Sequence, residues 1–130
     1  MADELESLRQ ARLHVDKPWG GFDQFTLNQT CTVKILTVEA GQILSLQTHE
    51  QRDELWVVIE GDPVIQIGTT TTEAQAGEEF VIQRRQRHRL IGGRRRSRLL
   101  EISLGHFDEE DVMRLEDRYG RAWGPPSCRS

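Results

Sequence analysis

Between Phe22 and Leu104 the chain breaks into eight short segments of alternating or continuous apolar character, each closed by turn-forming residues. They run Phe22–Leu27, Cys31–Val38, Ile43–Leu46, Leu55–Ile59, Val64–Ile67, Glu79–Ile82, Arg89–Ile91 and Arg98–Leu104. The breaks fall at Asn28 to Thr30, Ala40-Gly41, Gly61-Asp62-Pro63, Gly68, Ala76-Gly77 and Gly92-Gly93. Strands this short and this regularly spaced, with no helical stretch between them, predict an all-β sandwich or barrel rather than a parallel α/β sheet.

Both flanks read as helix. Leu5, Leu8 and Ala11 recur at helical spacing, so a lead-in helix is expected over Ala2 to Leu13, ending before Pro18. After the strands, Phe107-Asp108-Glu109-Glu110 resembles an acidic N-terminal cap leading into Val112, Met113, Leu115 and Glu116, with Gly120 as the stop. The expected organisation is therefore a lead-in arm over 1–16, a barrel with a C-terminal helix over 17–121, and a loose tail over 122–130.

A length of 130 residues suits one domain. With 36% hydrophobic and 29% charged residues the surface is polar, yet Val, Ile and Leu are frequent enough to build a core. No apolar run approaches the roughly 20 residues of a membrane span, and the opening MADELESLRQ is acidic and amphipathic. A soluble, cytoplasmic protein without a membrane partner is expected. Cys31 and Cys128 lie far apart and are expected to stay free thiols.

The formal net charge of −4 hides an asymmetry, because Arg84 to Arg98 holds eight arginines and no acid. Nucleic-acid binding would call for interleaved aromatics and usually a basic domain, and both are missing, so no nucleic-acid partner is expected. A solvated β-surface and a phosphate-binding site remain, since guanidinium forks match phosphate oxygens. Pairing with acids from the flanking helices would account for some of the arginines.

Gln47 and His49 stand two residues apart at the end of one predicted strand and so face the same way. Glu54 opens the returning strand, and His88 begins a later one. Two imidazoles, a carboxylate and an amide oxygen suit a divalent ion such as Mn, Zn, Co or Fe. A structural role for histidines in apolar strands is the competing reading.

The run Gly41-QILSL-Gln47-Thr-His49-EQRD-Glu54-LWVVIE-Gly61 resembles the first cupin motif, and Gly77-EEFVIQRRQR-His88 resembles the second. More closely, LSLQTHEQRDELWVVIEG is similar to the cupin half of type II phosphomannose isomerases, often fused to a mannose-1-phosphate guanylyltransferase. Gln47, His49, Arg52, Glu54 and Trp56 match that family's spacing. The likeness continues through Lys17-Pro18-Trp19-Gly20, Lys34, Glu110-Asp111-Val112 and Leu115 to Arg121, covering roughly residues 15 to 121.

The resemblance implies a double-stranded β-helix, the cupin or jelly-roll barrel, with a metal held by Gln47, His49, Glu54 and His88. It implies interconversion of mannose 6-phosphate and fructose 6-phosphate by proton transfer between C1 and C2, the metal stabilising the enediolate. Lys34, Arg52, Asp117 and Tyr119 are its candidate proton carriers, and Lys17, Arg89 and Arg121 its candidate phosphate ligands. One departure matters: the family's Pro-x-Gly-x-Pro-His turn is replaced by Gln83-Arg84-Arg85-Gln86-Arg87-His88, which is expected to shift His88 or open the pocket rim. No Gly-rich phosphate loop appears, so no nucleotidyl transfer is expected.

Trp56 is read as a core filler and Trp19 as packing a strand entry. The run Val57-Val58-Ile59 predicts a strand covered on both faces, which suggests a homodimer. The alternatives to a sugar-phosphate isomerase are a non-catalytic cupin binding a sugar or small anion, and a metal-dependent dioxygenase, for which three histidines are more usual.

Overall fold

Side chains alternate across a strand, and that alternation sorts this chain into an inside and an outside. The computed structural model describes residues 2–120. A helix, α1 (Ala2–Ala11), leads into a hairpin of β1 (Leu13–Lys17) and β2 (Gly20–Gln24). Then follow β3 (Thr32–Val38), β4 (Leu46–Thr48), β5 (Arg52–Glu60), β6 (Val64–Ile67) and β7 (Thr70–Glu73). The remaining strands are β8 (Glu79–Ile82), β9 (His88–Ile91), β10 (Ser97–Gly105) and β11 (Met113–Glu116). Apart from the hairpin they form two antiparallel sheets, ordered β3-β10-β5-β8 and β11-β4-β9-β6-β7. This is the expected double-stranded β-helix.

Register in the four-stranded sheet sets up a gradient along the barrel. One inward row runs Leu36, Leu99 and Val58, the next Lys34, Glu101, Trp56 and Phe80, and the third Thr32, Ser103, Glu54 and Ile82. The apolar end packs with Val38, Ile65, Leu90 and Ala74 into the core between the sheets. Each such aliphatic side chain contributes about 1.5–3 kcal/mol when fully buried. Charge thus collects at one end of an otherwise apolar interior.

The outer face of the same sheet is covered by α1. Leu5 and Leu8 pack with Leu55, Ile102 and Leu104, and Val57, Val81 and Leu100 lie against that cluster. Val57 therefore finds its cover within its own chain, while Val33, Ile35 and Ile59 stay exposed on the outside. Arg12 ties the helix end down: its Nε donates to Glu79 Oε1 at 2.8 Å, and its guanidinium lies 4.5 Å from the Phe25 ring. No helix among the described residues is long and apolar enough to cross a membrane.

The expected C-terminal helix is a turn followed by a strand. Asp108 does cap, its Oδ1 accepting from Glu110 N at 2.9 Å and its carbonyl from Asp111 N at 3.0 Å. The chain then pairs as β11 with β4. Buried Val112 (9%) and Arg114 (8%) flank exposed Met113 (44%), an alternation of period two. Val112 and Leu115, three apart, fit a helical period, and the open edge of β4 nevertheless takes the segment as a strand with Arg114 in step with Val112.

β1 and the Thr-rich β7 were not anticipated as strands, being polar and largely exposed. The segment expected over Ile43–Leu46 is strand only from Leu46, Ile43 making an isolated bridge to Ile91. Trp19 sits in the β1–β2 turn at 73% exposure and packs no strand entry. Cys31 is a free thiol, while Cys128 and the tail over 122–130 lie outside the described residues.

Candidate metal centre

At the polar end of the barrel His49, Glu54 and His88, all buried, bring their ligand atoms within 4.8 Å of one another. His49 follows β4, His88 opens β9 and Glu54 lies on β5, so both sheets contribute. The two Nε2 atoms stand 3.2 Å apart, and His49 Nε2 is 3.5 Å and His88 Nε2 3.9 Å from the Glu54 carboxylate.

Backbone carbonyls fix both tautomers. His49 Nδ1 donates to Asp111 O at 2.7 Å, and His88 Nδ1 donates to Gln86 O at 2.9 Å. Each Nε2 of a neutral ring then presents a lone pair, the form that ligates metals. Two acceptors facing each other at 3.2 Å repel, and the Arg52 Nη2 donor, 3.4 Å from His49 Nε2, offsets that on one ring alone. Protonation is disfavoured: burial pushes His49 down to about 4 despite the nearby Glu54, and burial also lowers His88. Burial pushes the Glu54 carboxyl up, but His49, His88 and Arg52 outweigh it and hold the group below its usual range. Two neutral imidazoles and one carboxylate fit a divalent first-row ion.

A further layer orients Glu54. Arg52 Nε donates to Oε2 at 2.9 Å, and the Trp56 indole donates to Oε1 at 3.1 Å and to Glu101 Oε2 at 3.3 Å. Trp56 is thus a buried core residue with a polar task. Gln47 lies opposite His88 in register, so it shares that face, and its Nε2 donates to Ser45 Oγ at 3.2 Å.

The remaining candidates scatter. Arg52 belongs to the site, its Nη2 3.4 Å from His49 Nε2. Lys34 lies on the inward row beside Glu101, with its ammonium paired to Glu109. Arg89 follows His88 on β9 and so faces the opposite way, its guanidinium held by Leu44 O at 3.0 Å and Glu116 Oε1 at 3.1 Å. The Tyr119 hydroxyl donates to Gln42 Oε1, near the Ile43–Ile91 bridge, and Asp117 accepts from Gly120 N at 3.3 Å in the turn after β11. Lys17 is exposed at the end of β1, and Arg121 lies outside the described residues.

Four contributors were not singled out in the sequence. Glu101, buried at 8% exposure, is pushed up to about 7, chiefly by burial and then by the Glu54 charge. Its signal is an acid in step with Leu99 and Ser103 on an apolar strand. Arg114 is buried on β11 opposite Gln47, concealed by the expectation of a helix there. The Asp111 and Gln86 carbonyls leave no mark in a side-chain pattern.

The Arg-rich loop before His88 is a tight turn in which Arg85 takes a left-handed conformation, φ +67°, at the position where the resembled family carries Gly. Arg85 N donates to His49 O at 2.7 Å, Arg84 N to Asp53 Oδ1 at 2.8 Å, and Gln86 N to Gln83 O at 3.1 Å. His88 is accordingly kept beside His49, contrary to the expected shift. Arg84, Arg85, Arg89, Arg96 and Arg98 pair with Asp53, Glu50, Glu116, Glu39 and Glu60. These acids belong to strands and loops, not to flanking helices, and much of the basic patch is neutralised on the barrel surface.

Two facing sheets with an imidazole–carboxylate cluster buried at one end define a cupin. The chain superposes on a cupin protein from Bacteroides fragilis with a TM-score of 0.54 at 22% identity, covering 58% of this chain and 65% of that one. The capsular polysaccharide assembling protein CapF from Staphylococcus aureus gives a TM-score of 0.58 at 19% identity over 81% of this chain and 32% of that one. Residues 4–117 match the family described as Mannose-6-phosphate isomerase C-terminal, and the chain belongs to that family.

Among its curated relatives, xanthan biosynthesis protein XanB of Xanthomonas campestris is 35% identical over 82% of this chain and 23% of its own. Mannose-1-phosphate guanylyltransferase ManC of Salmonella typhimurium is 36% identical over 82% of this chain and 23% of its own. Alginate biosynthesis protein AlgA of Pseudomonas aeruginosa is 33% identical over 89% of this chain and 24% of its own. The chain spans about a quarter of the length of these relatives.

Two outcomes follow from the site's geometry. Replacing Arg85→Gly relieves the left-handed strain and is expected to stabilise the protein by about 0.5–1 kcal/mol, read as a higher urea midpoint; an unchanged or lower midpoint would contradict the strain argument.

The second concerns pH in the metal-free protein. His49 titrates near 6.5 unfolded and about 4 folded, so unfolding takes up a proton in that interval and stability falls as pH drops through it. The full effect is on the order of 3 kcal/mol. Glu101 titrates near 4.5 unfolded and about 7 folded, so its contribution is complete below 4.5 and is lost as pH rises toward 7, opposing His49. Glu101→Gln should therefore steepen the loss of stability between pH 6.5 and 4.5; equal slopes for variant and wild type in urea titrations would rule this out.

Proposed function

We propose that this domain is a metal-dependent sugar-phosphate isomerase that interconverts mannose 6-phosphate and fructose 6-phosphate for polysaccharide precursor supply. The observation that carries the reading is the convergence of His49, Glu54 and His88, one inward row from a buried carboxyl held near neutrality at Glu101. Membership of a family named for this isomerase, and relatives named for xanthan and alginate biosynthesis, support the same reading.

A divalent ion, Mn, Zn, Co or Fe, would be held by His49, Glu54 and His88 with Gln47 alongside, and would supply Lewis acidity toward the sugar oxygens. The proton must leave C2 and return to C1 of the open-chain aldose, while the O2 proton passes to O1. A carboxyl titrating near 7 both accepts and donates at neutral pH, which favours Glu101 for the carbon-bound proton. Arg52 donates from Nε to Glu54 Oε2 at 2.9 Å and steadies that carboxylate, which suits it to positioning rather than to carrying the proton. Lys34, across from Glu101 on β3, favours the carboxylate form.

A second reading, a cupin that binds metal and a sugar or small anion without turning it over, is favoured by one feature: segment 107–111 lies across the site and engages Lys34, Arg52 and His49. The two separate in a coupled assay of mannose 6-phosphate conversion after chelation and again with Mn, Co or Zn restored. The isomerase reading expects turnover only with metal, abolished in His49→Ala and lowered about 100-fold or more in Glu101→Gln with metal still bound. Metal binding without turnover for any of the three ions would overturn it in favour of the binding reading.

A further inference from the structure

We propose that Lys34 and Arg52 form an anion subsite for the phosphate of the sugar phosphate, and that Phe107, Asp108 and Glu109 occupy it in the closed form as an internal stand-in. The phosphate chemistry stands on these residues; only the sugar portion of the ligand rests on the isomerase reading.

Two cations from β3 and β5, strands of one sheet separated by β10, meet the same three consecutive residues. The Lys34 ammonium is paired with the Glu109 carboxylate and lies 4.1 Å from the Phe107 ring centroid. The Arg52 guanidinium lies 4.4 Å from the centroid of that same ring, and its Nη1 donates to Asp108 O at 3.1 Å. A π-face, a carbonyl and a carboxylate thus together satisfy two cations at the edge of the metal centre.

Displacement is chemically reasonable because the contacts differ in strength. With side-chain exposures of 36% for Lys34 and 70% for Glu109, that ion pair is well solvated and weakly held. Arg52 is buried, but its Nε bond to Glu54 at 2.9 Å does not involve the segment, so it keeps its place when Asp108 leaves. Lifting residues 107–109 removes partners from Lys34 Nζ and Arg52 Nη1 at once, and an entering phosphate with three oxygens replaces both.

The flanks of the segment are fixed, Gly105 as the paired end of β10 and Asp111 by its carboxylate, so a movement is confined to the residues between them. On one side stands Gly105 at φ +112°, a conformation that disfavours other residues. On the other side Asp111 is anchored, its carboxylate accepting from Glu50 N and Gln51 N at 3.0 Å each, and its carbonyl holding His49 Nδ1. A swing of residues 106–110 gives up the Asp111 N bond to Asp108 O at 3.0 Å, while the anchored Asp111 carboxylate keeps its carbonyl on His49 Nδ1. Arg89, by contrast, is engaged by Glu116 on the other face of β9.

The test is calorimetric titration of the full chain, chelated so that phosphate cannot bind a metal, with inorganic phosphate, mannose 6-phosphate and mannose. Glu109→Gln should bind both phosphate ligands about threefold more tightly, because the competing carboxylate is gone. Lys34→Gln should bind them about tenfold more weakly with no change toward mannose. Unchanged phosphate affinity in either variant would overturn the proposal. Failure of the isomerase reading is distinguishable: affinities that move as expected without turnover remove the isomerase and leave the subsite, whereas turnover with unmoved affinities removes the subsite alone.

Discussion

The confrontation of two imidazole nitrogens organises everything around it. His49 and His88 are neutral, their protons are fixed on Nδ1 by the carbonyls of Asp111 and Gln86, and their Nε2 lone pairs are left facing each other at 3.2 Å. Relieved only in part by Arg52 Nη2, 3.4 Å from His49 Nε2, this arrangement costs energy, and the chain sustains it from three directions. The turn over 83–86 delivers the Gln86 carbonyl and ties itself to His49 O, while the segment after β10 delivers Asp111. β5 brings up Glu54, whose carboxylate completes a group that could hold a cation.

The barrel makes such a site tolerable by separating its two tasks along the strands. Leu36, Leu99 and Val58 give way two residues further along to Lys34, Glu101 and Trp56, and then to Ser103 and Glu54. Stability comes from the apolar end and from the α1 cluster on the outside, so the polar end can hold groups whose burial is unfavourable. Glu101 shows the cost directly: its carboxyl is driven toward neutrality by the burial and negative charge that surround it. Trp56 links the two regimes, its ring in the core and its indole N–H shared between Glu54 and Glu101.

The strand spacing was legible because alternation is a local property, and it carried the all-β sandwich or barrel, whereas the double-stranded β-helix and the grouping of His49, Glu54 and His88 came with the family resemblance. Long-range pairing was not legible. Met113 to Glu116 carries apolar residues compatible with a helix, and only the open edge of β4 makes it a strand, so Arg114 was missed along with the strand itself. Arg89 shows the opposite error: a cation next to a ligand in sequence faces away from it on a strand. The Arg-rich turn lacks the proline and glycine that ordinarily fix such a loop, yet backbone bonds to His49 and Asp53 hold its shape with Arg85 in a left-handed conformation. Glu101 was visible as an acid in an apolar strand, but its environment belongs to three strands at once.

The relatives are about four times as long as this chain, so what it shares with them is one portion of their length. The proposed chemistry depends on whether the imidazole pair receives a cation. The most direct measurement is an anomalous difference map from crystals of the chain grown with manganese. One strong peak is expected, bounded by His49 Nε2, His88 Nε2 and the Glu54 carboxylate, with both Nδ1 atoms still on their carbonyls. A map with no peak there, and the two imidazoles still in contact, would contradict the cation site.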